Sequence, residues 1–140
     1  MAPNDDRRVS RALVWRRASS RCEYCQVPES LDPSPFQLDH VIPRKHRGPD
    51  TEDNLALSCF GCNVHKGPNL SGVDPETGEI ASLYDPRRDR WADHFEWQGA
   101  VLLGRTRTGR LTVDVLGINL SHRVAFRQAL VQEGVFPPRS

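Results

Sequence analysis

The chain has 140 residues, of which 37% are hydrophobic and 26% charged, and its formal net charge is +1. These values describe a soluble globular chain of ordinary one-domain size and give no global electrostatic argument for a nucleic-acid partner. No apolar run approaches the roughly 20 residues of a membrane helix, and the polar start Met-Ala-Pro-Asn-Asp-Asp lacks the apolar core of a secretory signal, so the expected setting is the cytoplasm, with no membrane partner.

Residues 1–6 read as a disordered tail. From Val9 to Ser20 the apolar positions Val9, Ala12, Leu13 and Trp15 recur at roughly helical spacing, with arginines on the other face. Cys22-Glu23-Tyr24-Cys25 is a tight turn, and the proline-bearing stretch 27–35 is a loop. Phe36 to Ile42 alternates and predicts a strand ended by Pro43. Asn54-Leu55-Ala56-Leu57-Ser58 predicts a second strand, antiparallel to the first. Cys59-Phe60-Gly61-Cys62 is another turn, and a short helix is expected to start at Asn63 and to stop at Gly67-Pro68. Gly72 to Glu79 reads as a turn-rich connection. Phe95–Gly104 and Arg110–Leu116 read as a hairpin turned at Thr108-Gly109, and Val124–Gln132 as a closing helix stopped by Gly134. Trp91, Phe95 and Trp97 are read as core or as a partner surface. The fold class expected is α+β in one unit spanning 1–140, with a core at about 20–70 and an extension over 71–140. Eleven prolines and ten glycines predict short elements and long loops, which favours a staple.

The four cysteines supply that staple. They form two Cys-x-x-Cys pairs, Cys22/Cys25 and Cys59/Cys62, about three dozen residues apart. Four thiolates complete the tetrahedral shell of zinc and leave no position for water, so the expected zinc is structural. Disulfide pairing is the alternative; the expected reducing compartment disfavours it.

Between the pairs lie Leu38-Asp39-His40-Val41-Ile42-Pro43-Arg44 and Asp53-Asn54-Leu55; after the last cysteine comes Asn63-Val64-His65-Lys66-Gly67. Hydrolysis assisted by a cation needs an activated water and a hard ligand for the ion. His40 can take a proton from water near neutral pH. Asp39 offers a hard oxygen suited to Mg²⁺ or Mn²⁺. Together these pieces, from Cys22 to about Gly67, resemble the HNH endonucleases and their ββα-metal core, a likeness covering roughly a third of the chain.

The resemblance implies His40 as general base, Asp39 as a ligand of the catalytic cation and Asn54 as the brace of the loop. Where many relatives carry a final His directly after the last cysteine, this chain has Asn63; by likeness to HNN variants, Asn63 is the expected second ligand. His65 lies two positions on, about 200° around a helix, and is an expected phosphate contact or alternate ligand. Arg44 and Lys66 are expected phosphate contacts. The implied activity is cation-dependent cleavage of DNA. The rival reading is a non-catalytic, zinc-held module that binds nucleic acid or protein.

Overall fold

The structure, a computed structural model, describes residues 11–138. The expected tail and the first two residues of the expected N-terminal helix lie outside that range. Helix α1 is described over residues 11–17 and buries Val14 completely. Its Trp15 indole donates to Glu29 Oε1 at 3.0 Å, and its Arg17 guanidinium donates to the Glu52 and Leu55 carbonyls at 2.9 and 2.6 Å.

The chain then forms β1 (Gln37–His40) and β2 (Leu55–Ser58), paired antiparallel with Leu38 opposite Leu57 and His40 opposite Leu55. All four residues of β2 are buried. Helix α2 (Phe60–Lys66) follows at once. It starts three residues before the expected Asn63 because Cys59 caps it: the Cys59 sulfur accepts from the Cys62 amide at 3.4 Å. The second cysteine turn is therefore the first turn of the helix. Strand, loop, strand and helix make a ββα unit, as expected.

The extension departs more from expectation. Residues around Gly72–Glu79 are not a plain connection but part of a hairpin, β3 (Ser71–Val73) and β4 (Ile80–Ser82). Asp74 opens its turn and is gripped by Arg110 through both oxygens, at 3.0 and 2.8 Å. After the single turn α3 (Trp91–His94), the second hairpin is β5 (Phe95–Gln98) with β6 (Val101–Gly104), turned at Gly99 rather than at Thr108-Gly109. The segment expected as its second strand is helix α4 (Arg107–Val115).

Two causes override the apolar alternation of Leu111, Val113 and Val115. Thr106 caps the helix by accepting from the Gly109 amide at 3.0 Å. Gly109, Leu111, Thr112 and Leu116 also bury together at helical spacing. Gly109 admits no side chain, because a Cβ there would stand 2.1 Å from the His94 carbonyl oxygen. Helix α5 (Ser121–Gln132) closes the chain, and Gly134, at φ 76°, follows it as expected.

The core joins both halves: Tyr24, Phe36 and Leu57 belong to the same cluster as Phe95, Leu102, Leu111, Leu116 and Ile118. Each such side chain contributes about 1.5–3 kcal/mol when fully buried. The aromatic trio is part of this packing. Phe95 is buried, half-buried Trp91 lies against it, half-buried Trp97 stacks on Trp91, and the Trp91 indole donates to the Tyr24 carbonyl at 2.8 Å. None of the described helices is long and apolar enough to cross a membrane.

Candidate active site

Each Cys-x-x-Cys pair folds so that an amide three residues on points at the first sulfur: Cys25 N lies 3.5 Å from Cys22 Sγ, and Cys62 N 3.4 Å from Cys59 Sγ. The β1–β2 pair and the start of α2 bring the two turns together. All four sulfurs are buried and lie within 4.8 Å of one another. A tetrahedral zinc with Zn–S of about 2.3 Å needs its sulfurs about 3.8 Å apart; Cys25 and Cys59 Sγ are separated by 3.7 Å. The four cysteines can hold a metal ion, and the donor set and spacing suit zinc. Burial pushes the Cys22 and Cys62 thiols up, whereas hydrogen bonds from Cys22, Cys59 and Cys62 pull Cys25 well down.

A cation from the distant extension completes this cluster. Arg123 of α5 donates from Nη2 to Cys62 Sγ at 3.0 Å and from Nη1 to the Leu116 carbonyl at 2.7 Å. Burial opposes its charge, but the sulfurs of Cys62, Cys25 and Cys59 outweigh burial and hold the guanidinium more firmly protonated than usual. No spacing in the sequence pointed to Arg123, which stands 61 positions after Cys62.

His40 is the last residue of β1, with a side chain 19% exposed. Its Nε2 is 2.6 Å from Asp50 Oδ1, and Arg44 Nε donates to the same oxygen at 3.0 Å. Hydrogen bonds from His40 and then Arg44 hold the Asp50 carboxyl below the usual carboxylate range. Asp50 belongs to Gly48-Pro49-Asp50, in the loop between β1 and β2. The loop carrying it is tied by Asn54. That buried amide accepts from Ile42 N at 2.9 Å and donates to the Ile42 and Pro49 carbonyls at 3.0 and 2.9 Å. Gly48 sits so close to the strand end that a Cβ would be 1.6 Å from the Ile42 oxygen.

Gln37 and Asp39 share the face of β1 opposite His40, by the strand's period of two. That face meets α2. The Asn63 amide donates to Gln37 Oε1. Asp39 is buried; its Oδ2 accepts from the Tyr24 hydroxyl at 2.6 Å and its Oδ1 from Lys66 Nζ at 3.2 Å. Burial raises the Asp39 carboxyl, and Lys66 and Tyr24 offset part of that rise. Tyr24, between the first two cysteines, carried no functional signal in the sequence.

Two expected phosphate contacts have other surroundings. Lys66 is 1% exposed and spends its ammonium on Asp39 and on the His40 and Val41 carbonyls, at 3.0 and 3.2 Å. It is an internal counter-ion, not an exposed cation. His65 turns to the far side of α2, where Nδ1 lies 2.8 Å from the Gly61 carbonyl, and it lines a groove with His122 and Arg123. Arg44 stays exposed beside His40.

This ββα unit with its knuckle of cysteines coincides with the matched part of the chain. Residues 22–69 match the HNH endonuclease family. The matched segment thus begins at the first of the four clustered cysteines and ends just past α2. The chain as a whole is similar to the Septu protein PtuB of Bacillus thuringiensis, at 26% identity over 121 residues. The matched stretch covers 81% of this chain and 42% of that relative, so the chain spans less than half of the relative's length.

Proposed function

We propose that this chain is an endonuclease that hydrolyses DNA phosphodiester bonds with a divalent cation, Mg²⁺ or Mn²⁺. The observation that carries the proposal is the coincidence of the HNH match with a ββα unit whose first strand ends in a partly exposed, oriented His40. In this reading His40 takes a proton from the attacking water as its oxygen bonds to phosphorus and the bond to the leaving oxygen breaks. Asn54 holds the loop so that His40 keeps its aim, and Arg44 meets a phosphate oxygen.

Asp39 and Asn63 would hold the cation. Both are hard oxygen donors on the side of β1 that faces α2, a set suited to Mg²⁺ or Mn²⁺. Tyr24 and Lys66 occupy two of the roughly four lone-pair sites of the Asp39 carboxylate. Two sites remain for the cation, whose charge would repel the Lys66 ammonium and loosen its hold on Asp39. A bound divalent cation supplies charge stabilisation at the leaving oxygen.

Supercoiled plasmid incubated with the protein and Mg²⁺, Mn²⁺ or EDTA tests the reading. Cleavage is expected only with added cation. His40→Ala is expected to lose on the order of 10²–10⁴ in rate while keeping its metal and its melting temperature. Cleavage at the wild-type rate by His40→Ala would remove His40 from the mechanism. Binding of DNA without cleavage under any cation would favour the zinc-held binding module.

A further inference from the structure

A general base works only if one imidazole nitrogen presents its lone pair to water while the other is held, and its holder decides tautomer and ring angle. His40 shows that division. Nε2 faces Asp50 Oδ1 at 2.6 Å, and Nδ1 has no hydrogen-bond partner among the described residues. Asp50 is itself held. Arg44 donates to the same Oδ1 at 3.0 Å; Pro49, just before it, is tied through its carbonyl to Asn54 at 2.9 Å; and Gly48 is pressed against the end of β1. The loop that separates His40 from Asn54 thus returns to the histidine and delivers a carboxylate to it.

We infer that Asp50 is the positioning residue of His40, fixing the imidazole with its Nε2–H on the carboxylate and its Nδ1 lone pair toward the water to be activated. This deepens the nuclease reading and rests on it. The carboxylate does not touch the substrate in this arrangement; it acts through His40. The side chain of Asp50 is 54% exposed, so replacing it leaves the core packing alone.

The experiment compares wild type, His40→Ala, Asp50→Ala and Asp50→Glu on supercoiled plasmid with Mg²⁺ or Mn²⁺, together with proton NMR of the imidazole N–H groups. Asp50→Ala is expected to lower kcat about 10- to 100-fold, a part of what a positioned base contributes, with KM and melting temperature unchanged. Asp50→Glu is expected to restore part of that loss. Wild type is expected to show a downfield, slowly exchanging Nε2–H proton assigned to His40, absent from Asp50→Ala. Should Asp50→Ala melt early, the wild-type resonance still decides the geometry. Equal rates for wild type and Asp50→Ala, or no such resonance in wild type, overturn the role of Asp50 and leave the nuclease reading standing. No cleavage by wild type under any cation overturns both.

Discussion

The cysteine cluster and the end of β1 show how differently two parts of one small ββα unit can be used. At the cluster, Cys59 and Cys62 join Cys22 and Cys25, four buried sulfurs that can complete a metal shell, with Arg123 laid over two of them. At the strand end, Asn63 and Lys66 meet β1, whose last residue His40 remains partly open and is held by a loop. The first part has no position left for a reactant. The second keeps an imidazole nitrogen and an exposed guanidinium beside it. A closed donor set stabilises; an incompletely satisfied one is available for chemistry.

Breaking the closed part should have the largest effect. Cys62→Ser removes one of four thiolates, and structural zinc can supply on the order of 10 kcal/mol to folding. The variant is expected to lose its metal and its cooperative melting transition, as is the wild type under a strong chelator; metal analysis and circular dichroism check both. An unchanged melting curve would mean that the core of Tyr24, Leu57 and Leu111 stands without the metal.

Lys66→Met probes the join between the two parts. It leaves Asp39 buried without its counter-ion, and breaking such a pair from one end costs about 3–5 kcal/mol. Urea unfolding with the metal retained is the measurement. A loss well under about 1 kcal/mol, the range of exposed pairs, would show that the ammonium is dispensable. Arg123→Gln should matter less and differently. Groups hydrogen-bonded to metal ligands tune affinity by about 10- to 100-fold, so zinc should pass faster to a competing chelator while the protein stays folded. Equal transfer rates would reduce Arg123 to packing. Smallest is Asn54→Ala, expected to cost about 1–3 kcal/mol for the stranded Ile42 and Pro49 groups, with a fall in cleavage rate larger than the stability loss explains.

Local sequence was a good guide where chemistry recurs at short spacing. Two Cys-x-x-Cys pairs specify a metal cluster almost by themselves, because each pair is a turn that aims two sulfurs one way. The alternating Phe36–Ile42 stretch and the apolar run at Leu55–Leu57 were legible as a strand pair, since β1 and β2 carry one buried face and one buried strand. Arg110–Leu116 was not legible. Its apolar alternation favours a strand, and the Thr106 cap with the burial of Gly109, Leu111 and Thr112 at helical spacing makes it a helix. Lys66 reads as a phosphate contact in sequence because it follows the last cysteine at the family's distance; its burial depends on where β1 runs.

By itself, then, the sequence determined the metal knuckle, the ββα order and the identity of the histidine at the strand's end, because these follow from spacing within a few residues. Only the tertiary structure decided what surrounds them. Tyr24 and Lys66 reach Asp39 across 15 and 27 positions, Arg123 reaches Cys62 across 61, and the 41–54 loop turns Asp50 back onto His40. These partners come from chain segments whose approach is set by the packing of the shared core, and no local periodicity encodes that approach.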